Sequence, residues 1–377
     1  MKKRISRREF VSVGSKIAAG AAVAGCARGA LTSRDEDARQ ASGGPIRPDR
    51  GAVLNYNPQM EYRRLGKTGL WISALSLGGH WKNRQGGRYW DIFDQDKVPA
   101  DARSNREAAV AQAMECGLNY LDITTPAEAA VYGEVLKSLG KKMYVGYSDH
   151  ILCMRNPANR TREKLTFEID EGLRRLRADT MTIWRPQAVM DNAMRKDGGH
   201  TDDEMRVVVE TFHIAKDQGK VQHLGISSHD REFLMHLMRN FPEFEMMIFP
   251  VTLGTAALPT GSLFPLAREC DVGTVTIKPY AGGSLFRRPN AQADRLGADL
   301  SDDELAQLVI RKIIENESIT ATIPGMTLPN EIRNNARACA RRRRLTNVER
   351  DIVHKYARAT MASLPDDYAW LRNWQYV

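Results

Sequence analysis

Two apolar patterns alternate along the chain from residue 60 onward. Short runs of β-branched and aliphatic residues are followed by longer segments in which apolar residues recur every three to four positions, as Leu165, Ile169 and Leu173 do. The first pattern predicts buried strands, and the second predicts amphipathic helices. The eight predicted strands are Ala74–Gly79, Asn119–Thr124, Met143–Ser148, Thr180–Trp184, Val221–Ser227, Met246–Val251, Thr274–Tyr280 and Ile319–Pro324.

Glycine and capping residues mark where the predicted helices begin and end. The segment Ser104–Cys116 stops before Gly117, and Ser301–Asn316 opens with Ser-Asp-Asp-Glu, which is a capping-box pattern. Eight strand–helix units in roughly 280 residues match the size of a (β/α)8 barrel. The alternative, a doubly wound sheet, normally carries G-x-G-x-x-G after its first strand, and this sequence has no such motif. We therefore predict an α/β fold, a (β/α)8 TIM barrel preceded by a β-hairpin over Met60–Ser73.

The first residues of the chain have the composition of an export signal. Residues 1–26 contain S-R-R-E-F-V with Arg7 and Arg8, then a short stretch rich in Gly and Ala that ends in V-A-G-C at Cys26. This arrangement is typical of a twin-arginine signal peptide with a lipobox. We predict export by the twin-arginine translocation machinery and lipidation of Cys26. The protein would then be a membrane-anchored lipoprotein in the periplasm or another extracytoplasmic space.

Three further regions follow the signal. Residues 27–58 are rich in Gly, Pro, Arg, Asp and Ser, and predict a disordered tether because they cannot bury enough apolar surface to fold. Residues 59–345 contain the predicted barrel. Residues 346–377 predict a helix and a tail with too many aromatic residues for a free end, so we expect the tail to pack on the barrel, over either its mouth or its bottom.

Charge and cysteine spacing argue against two classes of function. The formal net charge is +9, but residues 1–25 hold six basic residues and one acidic residue, which leaves +5 there and +4 for the rest. We therefore predict no nucleic-acid partner. The sequence has no C-x-x-C, H-x-H or H-E-x-x-H spacing, so we also predict no bound metal. The oligomeric state stays open.

Polar residues follow the predicted strands where the active site of such a barrel lies. Histidine is well suited to exchange protons at neutral pH, and a substrate or cofactor anion would suit Arg185 and Lys278. The residues at these strand ends are His80, Trp81, Asp122, Asp149, His150, Arg185, Ser228, His229, Asp230 and Lys278.

Five segments, in order, resemble the aldo/keto reductase family. They are MEYRRLGKTGLWISALSLGG (60–79), GLNYLDIT (117–124), GKVQHLGISSH (219–229), VGTVTIKPYAGGSL (272–285) and SITATIPGMTLPNEIRNNARA (318–338). The resemblance implies an oxidoreductase that acts on a small carbonyl or alcohol substrate with NADP(H), or alternatively NAD(H). It also implies that Ser227 and Ser228 hold the nicotinamide end of the cofactor. Gly325 and Asn335 would border the adenosine phosphate end, and Lys278 would meet a phosphate.

The catalytic positions depart from the family pattern. The family donates a proton from a Tyr that is tuned by an Asp, a Lys and a His, because a phenol with a pKa near 10 needs a nearby cation to become acidic enough. Asp122 matches the Asp. The simplest alignment places Ala127 at the Tyr, Ser148 at the Lys and Trp184 at the His.

Other residues could fill the empty roles. Tyr132, in V-Y-G-E, and His150 are the candidate proton donors. We expect Trp184 to narrow a substrate pocket whose other predicted members are His80, Trp81 and Arg185.

Two functions remain open from the sequence. The first is an exported, aldo/keto-reductase-like oxidoreductase acting on an unidentified carbonyl or alcohol. The second is a barrel that is not a reductase. It would be either a pseudoenzyme that binds a ligand or partner, or an enzyme that runs different acid–base chemistry with His80, His150 and His229.

Overall fold

The computed structural model describes residues 48–81, 94–140, 142–188, 199–258, 261–287, 300–340 and 344–377. Its first strands, β1 (Tyr62–Arg64) and β2 (Trp71–Ser73), pair antiparallel, which confirms the predicted hairpin. The hairpin closes the bottom of a barrel: Leu65 and Ile72 belong to the same buried apolar cluster as the inward-facing strand residues.

Seven parallel strands surround that cluster, each hydrogen-bonded to the next in chain order. They are β3 (Tyr120–Ile123), β4 (Tyr144–Tyr147), β5 (Met181–Trp184), β6 (Val221–Ser227), β7 (Met246–Pro250), β8 (Gly273–Ile277) and β9 (Ala321–Ile323).

The first strand of the predicted eight is reduced to single bridges. Leu75 pairs in parallel with Thr322 of β9, and Leu77 pairs with Leu121 of β3, so the segment joins the two edges of the seven-stranded sheet. The next residues, Gly78 and Gly79, have the side chains of Ile323 and Glu128 packed closely against their backbone. The predicted (β/α)8 barrel is confirmed.

Helices surround the strands. In the described part of the chain they are α1 (Ala100–Glu115), α2 (Pro126–Leu139), α3 (Arg162–Leu176), α4 (Asp202–Asp217), α5 (Arg231–Asn240), α6 (Leu263–Glu269), α7 (Asp302–Ile314), α8 (Pro329–Ala340) and α9 (Asn347–Ala362). The capping box at Ser301 and Glu304 is present as predicted. Helix α1 begins at Ala100 rather than Ser104, directly after Pro99 at the N-cap.

Side chains on the strands alternate between two cores, as the pleat of a strand requires. Ile183, Ile248 and Val275 point into the barrel, whereas Trp184 and Ile226 point outward and pack in the layer between strands and helices. This alternation decides which residues can reach the mouth of the barrel. None of the described helices is both long and apolar enough to cross a bilayer.

The C-terminal tail lies across the mouth. After α9, a 3₁₀ segment, Asp366–Trp374, brings Tyr368 against the backbone of Gly282 and stacks Trp370 on His229, with ring centroids 4.0 Å apart. The last residue is anchored by backbone hydrogen bonds: the N–H of Val377 donates to the carbonyl oxygen of Ala256 at 3.0 Å.

Candidate active site

A cavity of about 350 Å³ opens at the carboxyl ends of the strands, within the size range of small-molecule sites. Seven of the thirteen residues that the sequence predicted for catalytic, cofactor, substrate and lipid roles line this cavity. The predicted residues that line the cavity are His80, Asp122, His150, Arg185, Ser227, Lys278 and Gly325.

Asp122 and Arg185 form the floor of the cavity. Both are buried, and two parallel contacts join them: Arg185 Nε to Asp122 Oδ1 and Arg185 Nη2 to Asp122 Oδ2, each at 2.6 Å. The Tyr120 hydroxyl donates to Asp122 Oδ1 at 3.2 Å, and Arg185 Nη1 donates to Ser227 Oγ at 3.2 Å. Such a bidentate pair is strong and directional, so Asp122 is committed to the guanidinium.

Trp184 does not line the cavity, contrary to the prediction. It is fully buried in the layer between strands and helices. Because side chains alternate along a strand, the inward position belongs to the next residue, Arg185. The alignment at this strand end was therefore one residue out of phase with the barrel interior.

Tyr132 and Trp81 also lie outside the cavity lining. The Tyr132 hydroxyl donates to the carbonyl oxygen of Gly78 at 2.7 Å and accepts from Trp81 Nε1 at 2.8 Å, and both side chains are buried. Five residues along a helix rotate a side chain by roughly 140° from the starting face, so Tyr132 cannot replace a residue at Ala127. The geometry thus argues against Tyr132 as proton donor and Trp81 as a pocket residue.

His80 is held by a carboxylate behind the cavity wall. Its backbone N–H donates to Glu128 Oε1, and its Nδ1 lies 3.1 Å from Thr124 Oγ1. Thr124 donates to Glu128 Oε2 from both its hydroxyl, at 2.9 Å, and its backbone N–H, at 2.8 Å. Glu128 is fully buried and approaches so closely that a Cβ on Gly79 would lie 2.1 Å from its carboxyl atoms.

The charges around His80 favour its neutral form. Desolvation by the surrounding protein and the positive charges of Lys278, Arg185 and Arg155 lower the pKa of His80, although 48% of its side-chain surface stays accessible. Burial raises the pKa of Glu128, opposed by the hydrogen bonds from His80 and Thr124.

His150 faces the same cavity beside a cation. Arg155 Nη2 lies 2.8 Å from His150 Nδ1, and the same guanidinium group contacts Gln187 Oε1. Desolvation and the charge of Arg155 lower the pKa of His150. Because a guanidinium can only donate, Nδ1 of His150 is the acceptor and its hydrogen lies on Nε2.

His229 also lines the cavity, and the tail covers it. Within the described chain neither of its buried ring nitrogens has a hydrogen-bond partner, and its ring is covered by Trp370. Desolvation, followed by the charges of Lys278 and Arg155, lowers the pKa of His229 well below its ordinary value.

The loop after β8 has the features of an anion-binding segment. Lys278 adopts a positive φ of 65°, and Gly282 and Gly283 also have positive φ. The hydroxyl oxygens of Tyr280 and Ser284 are buried and lack a partner among the described residues. Glycine backbone, a cation and unsatisfied hydroxyls fit the phosphates of a dinucleotide.

Ser227, Lys278 and Gly325 therefore lie where a dinucleotide could contact them, since all three line the cavity. Ser228 and Asn335 are buried and do not line the cavity: Ser228 Oγ accepts from the Asp230 N–H at 3.0 Å, and Asn335 lies on α8. Cys26 lies outside the described residues, and no cluster of metal-ligating side chains occurs within them.

The residues of this cavity and its wall that the sequence did not predict include Thr124, Glu128, Arg155 and Gln187. Glu128 lies among apolar residues in the first turn of α2. At that position the sequence indicates only a residue that caps the helix. Arg155 and Gln187 lie in the loops beyond the ends of β4 and β5. Sequence spacing alone does not show whether side chains in these loops reach the cavity.

Comparison with known proteins agrees with this geometry. The model of the aldo/keto reductase family matches residues 90–355. The chain is 21% identical over 303 residues to an L-galactose dehydrogenase of Arabidopsis thaliana, a match that spans 74% of this chain and 88% of that protein. It is 26% identical over 188 residues to a 6-dehydroglucose reductase of Novosphingobium aromaticivorans, which spans 45% of this chain and 52% of that protein.

Solved structures share the fold. An aldo-keto reductase from Bacillus halodurans in its holo form has a TM-score of 0.59 at 20% identity, covering 82% of this chain and 99% of that one. An aldo/keto reductase from Klebsiella pneumoniae in complex with NADP and acetate has a TM-score of 0.55 at 17% identity, covering 84% and 96%. With the family match spanning most of the barrel, the chain belongs to the aldo/keto reductase family.

Proposed function

We propose that this protein is an NAD(P)(H)-dependent oxidoreductase that interconverts a hydroxyl and a carbonyl group on a small polyhydroxylated substrate. The observation that carries the proposal is the continuity of one cavity. It joins the cationic, glycine-containing loop Lys278–Gly283 to a polar pocket above the Asp122–Arg185 pair. When bound, the cofactor would supply the hydride exchange, and the pocket would hold the substrate.

The pocket lining favours a substrate with several hydroxyl groups. Arg155, Gln187, His80 and His150 present donors and acceptors around the cavity. The related L-galactose dehydrogenase and 6-dehydroglucose reductase are named for sugar substrates, which supports a sugar-like compound here. Turnover of an apolar aldehyde in preference to sugars would contradict this substrate class.

The region beside Gly325 bears on the choice between NADP(H) and NAD(H). Glu331 Oε2 accepts the backbone N–H groups of Thr327, at 2.7 Å, and Leu328, at 3.0 Å. The family resemblance places the adenosine phosphate end here, and a carboxylate would repel an added 2′-phosphate. We therefore expect NAD(H) to bind at least as tightly as NADP(H).

A charge-neutral substitution tests this expectation. Glu331→Gln keeps an acceptor oxygen and removes the negative charge, so the affinity for NADP(H) should rise relative to NAD(H) by up to about tenfold, or about 1.4 kcal/mol. Calorimetry with both cofactors measures the ratio, and Glu317→Gln, on the loop before β9, serves as control. An unchanged ratio would show that Glu331 does not face the cofactor.

Export and lipid anchoring are part of the proposal. The twin-arginine route moves folded proteins, which suits a cofactor loaded before export, and a tightly held cofactor would be needed outside the cytoplasm. Replacing Arg7 and Arg8 with Lys should leave the precursor in the cytoplasm. Cys26→Ala should release the protein from membranes, and persistent sedimentation of that variant with membranes would contradict the lipid anchor.

The decisive experiment for the oxidoreductase is cofactor binding by the full chain. Calorimetry with NAD(H) and NADP(H) should give saturable binding that weakens on Lys278→Ala, because a charge-assisted contact contributes about 1.5–3 kcal/mol. Absence of binding at millimolar cofactor would overturn the proposal and favour the alternative of a pseudoenzyme that binds a ligand or a partner.

A further inference from the structure

We propose that His80 transfers the substrate proton in this site, with Thr124 and Glu128 as positioning residues. This assignment rests on the proposed oxidoreductase function and names a proton carrier for it. The family's Tyr position is occupied by Ala127, which has no proton to give, so the proton must be handled by another group at the cavity.

The hydrogen bonds around His80 define its tautomer. Thr124 has one hydroxyl hydrogen, and that hydrogen is donated to Glu128 Oε2. Thr124 Oγ1 can therefore only accept from His80, so Nδ1 of His80 carries the hydrogen. Nε2 is left as the basic nitrogen of the ring, and His80 lines the cavity.

The backbone of His80 is also fixed. Its φ is +55°, a left-handed conformation that is unfavourable for a residue with a side chain, and its N–H donates to Glu128. The same carboxylate thus holds the residue through the backbone and through Thr124. A strained residue that is fixed at two points beside a cavity suggests a functional constraint.

The other candidates are less suited to proton transfer. The Tyr132 hydroxyl is committed to Gly78, and Asp122 is committed to Arg185. His150 accepts from Arg155 at Nδ1, so its Nε2 holds the hydrogen of a neutral ring; it can donate a hydrogen bond to a substrate oxygen but cannot take up that oxygen's proton there.

The step balances in the direction of oxidation. Nε2 of His80 takes the proton of the substrate hydroxyl, the O–H electron pair forms the carbonyl π bond, and the hydrogen on the same carbon leaves with its electron pair as hydride. The substrate loses two electrons, which the oxidised nicotinamide cofactor of the proposed function would take up when bound. The positive charge on the imidazolium is then compensated by Glu128 until the proton passes to solvent.

Cofactor binding should raise the basicity of His80. Cations lower its pKa in the ligand-free protein, and the phosphates of the cofactor would offset the charge of Lys278. The charged and titratable groups that face His80 from the surrounding elements are Asp122, Glu128, His150, Arg155, Arg185 and Lys278.

The test combines kinetics with a measurement that needs no turnover. His80→Asn is the first variant because Asn tolerates positive φ, and His80→Gln is the second. Either should lower kcat for oxidation by about 10²- to 10⁴-fold while the Kd for NAD(H) stays within about twofold. The control is His236→Gln, because His236 also contacts a carboxylate, Asp202, but lies on the outer surface.

Nitrogen-15 NMR of the full chain should show the hydrogen of His80 on Nδ1, with the signal assigned by its loss in His80→Asn. Cofactor binding with unchanged turnover in both variants would overturn the role of His80, as would a hydrogen on Nε2. Failure of the wild-type protein to bind either cofactor would instead overturn the proposed function, and this assignment with it.

Discussion

His80 and His150 line the same cavity, yet the first is held by a carboxylate and the second by a guanidinium. Thr124 Oγ1 accepts from Nδ1 of His80 and donates its own hydrogen to Glu128, whereas Arg155 donates to Nδ1 of His150. The two rings therefore carry their hydrogen on opposite nitrogens. One suits proton uptake, and the other suits hydrogen-bond donation to a substrate oxygen.

This difference shows that the role of a histidine in the site depends on its neighbours rather than on its presence at a strand end. Both residues follow strands of the same barrel, and both have a lowered pKa. Only the neighbouring side chains separate a base from a donor. Substitutions can disturb the surroundings of each histidine separately.

Removal of the Glu128 carboxylate should have the largest effect. Glu128→Ala leaves the N–H groups of His80 and Thr124 and the Thr124 hydroxyl without their acceptor, and each unsatisfied buried donor costs about 1–3 kcal/mol. We expect urea denaturation to show a loss of about 3 kcal/mol in the free energy of unfolding. Glu128→Gln keeps an acceptor oxygen and should lose clearly less; equal losses would contradict the hydrogen-bond account.

Gly79→Ala should also disturb the surroundings of His80, because it displaces the Glu128 carboxylate. The added Cβ would lie 2.1 Å from the Glu128 carboxyl atoms, so the carboxylate must shift. Overpacking of this kind costs about 1–3 kcal/mol. We expect lower stability together with at least a tenfold loss of oxidation rate. Gly51→Ala, on an exposed turn with ample space, is the matched control, and similar behaviour of the two variants would argue against a fixed Glu128.

Arg155→Met should alter the electrostatic surroundings of His150. Loss of the guanidinium removes a positive charge that lowers the pKa of His150, so that pKa should rise, and the pKa of His80 should rise with it. NMR titration measures both values, with Arg206→Met at an exposed position as control. If both pKa values stay unchanged, the charge of Arg155 does not influence His150 or His80.

The lowered pKa values also predict a modest dependence of stability on pH. Unfolded histidine titrates near 6.5, so below about pH 6.5 the unfolded chain takes up protons that the folded His80 and His229 do not. The contribution of these two neutral histidines to the free energy of unfolding is therefore complete above about pH 6.5. It is lost as the pH falls below that value. Urea denaturation at pH 7.5 and 5.5 should show a smaller drop for His80→Asn than for the wild-type protein; an equal or larger drop would be inconsistent with this.

The sequence predicted the barrel well because strand and helix periodicities are local, and the positions of Asp122, His80 and Lys278 at strand ends follow from them. The inward-facing residue at the end of β5 could not be predicted, since a shift of one residue exchanges Trp184 for Arg185. Glu128 was missed because its carboxylate turns back from α2 toward the preceding loop, a contact that only the folded chain creates.

The most direct test of the account is the pKa of His80 measured by NMR in the full chain, with and without saturating NAD⁺. We predict a His80 pKa below that of an ordinary histidine in the free protein and a clear rise of this pKa when the cofactor binds, because the phosphates offset the charge of Lys278. A His80 pKa that stays unchanged at saturation would contradict the claim that cofactor and proton carrier share one site.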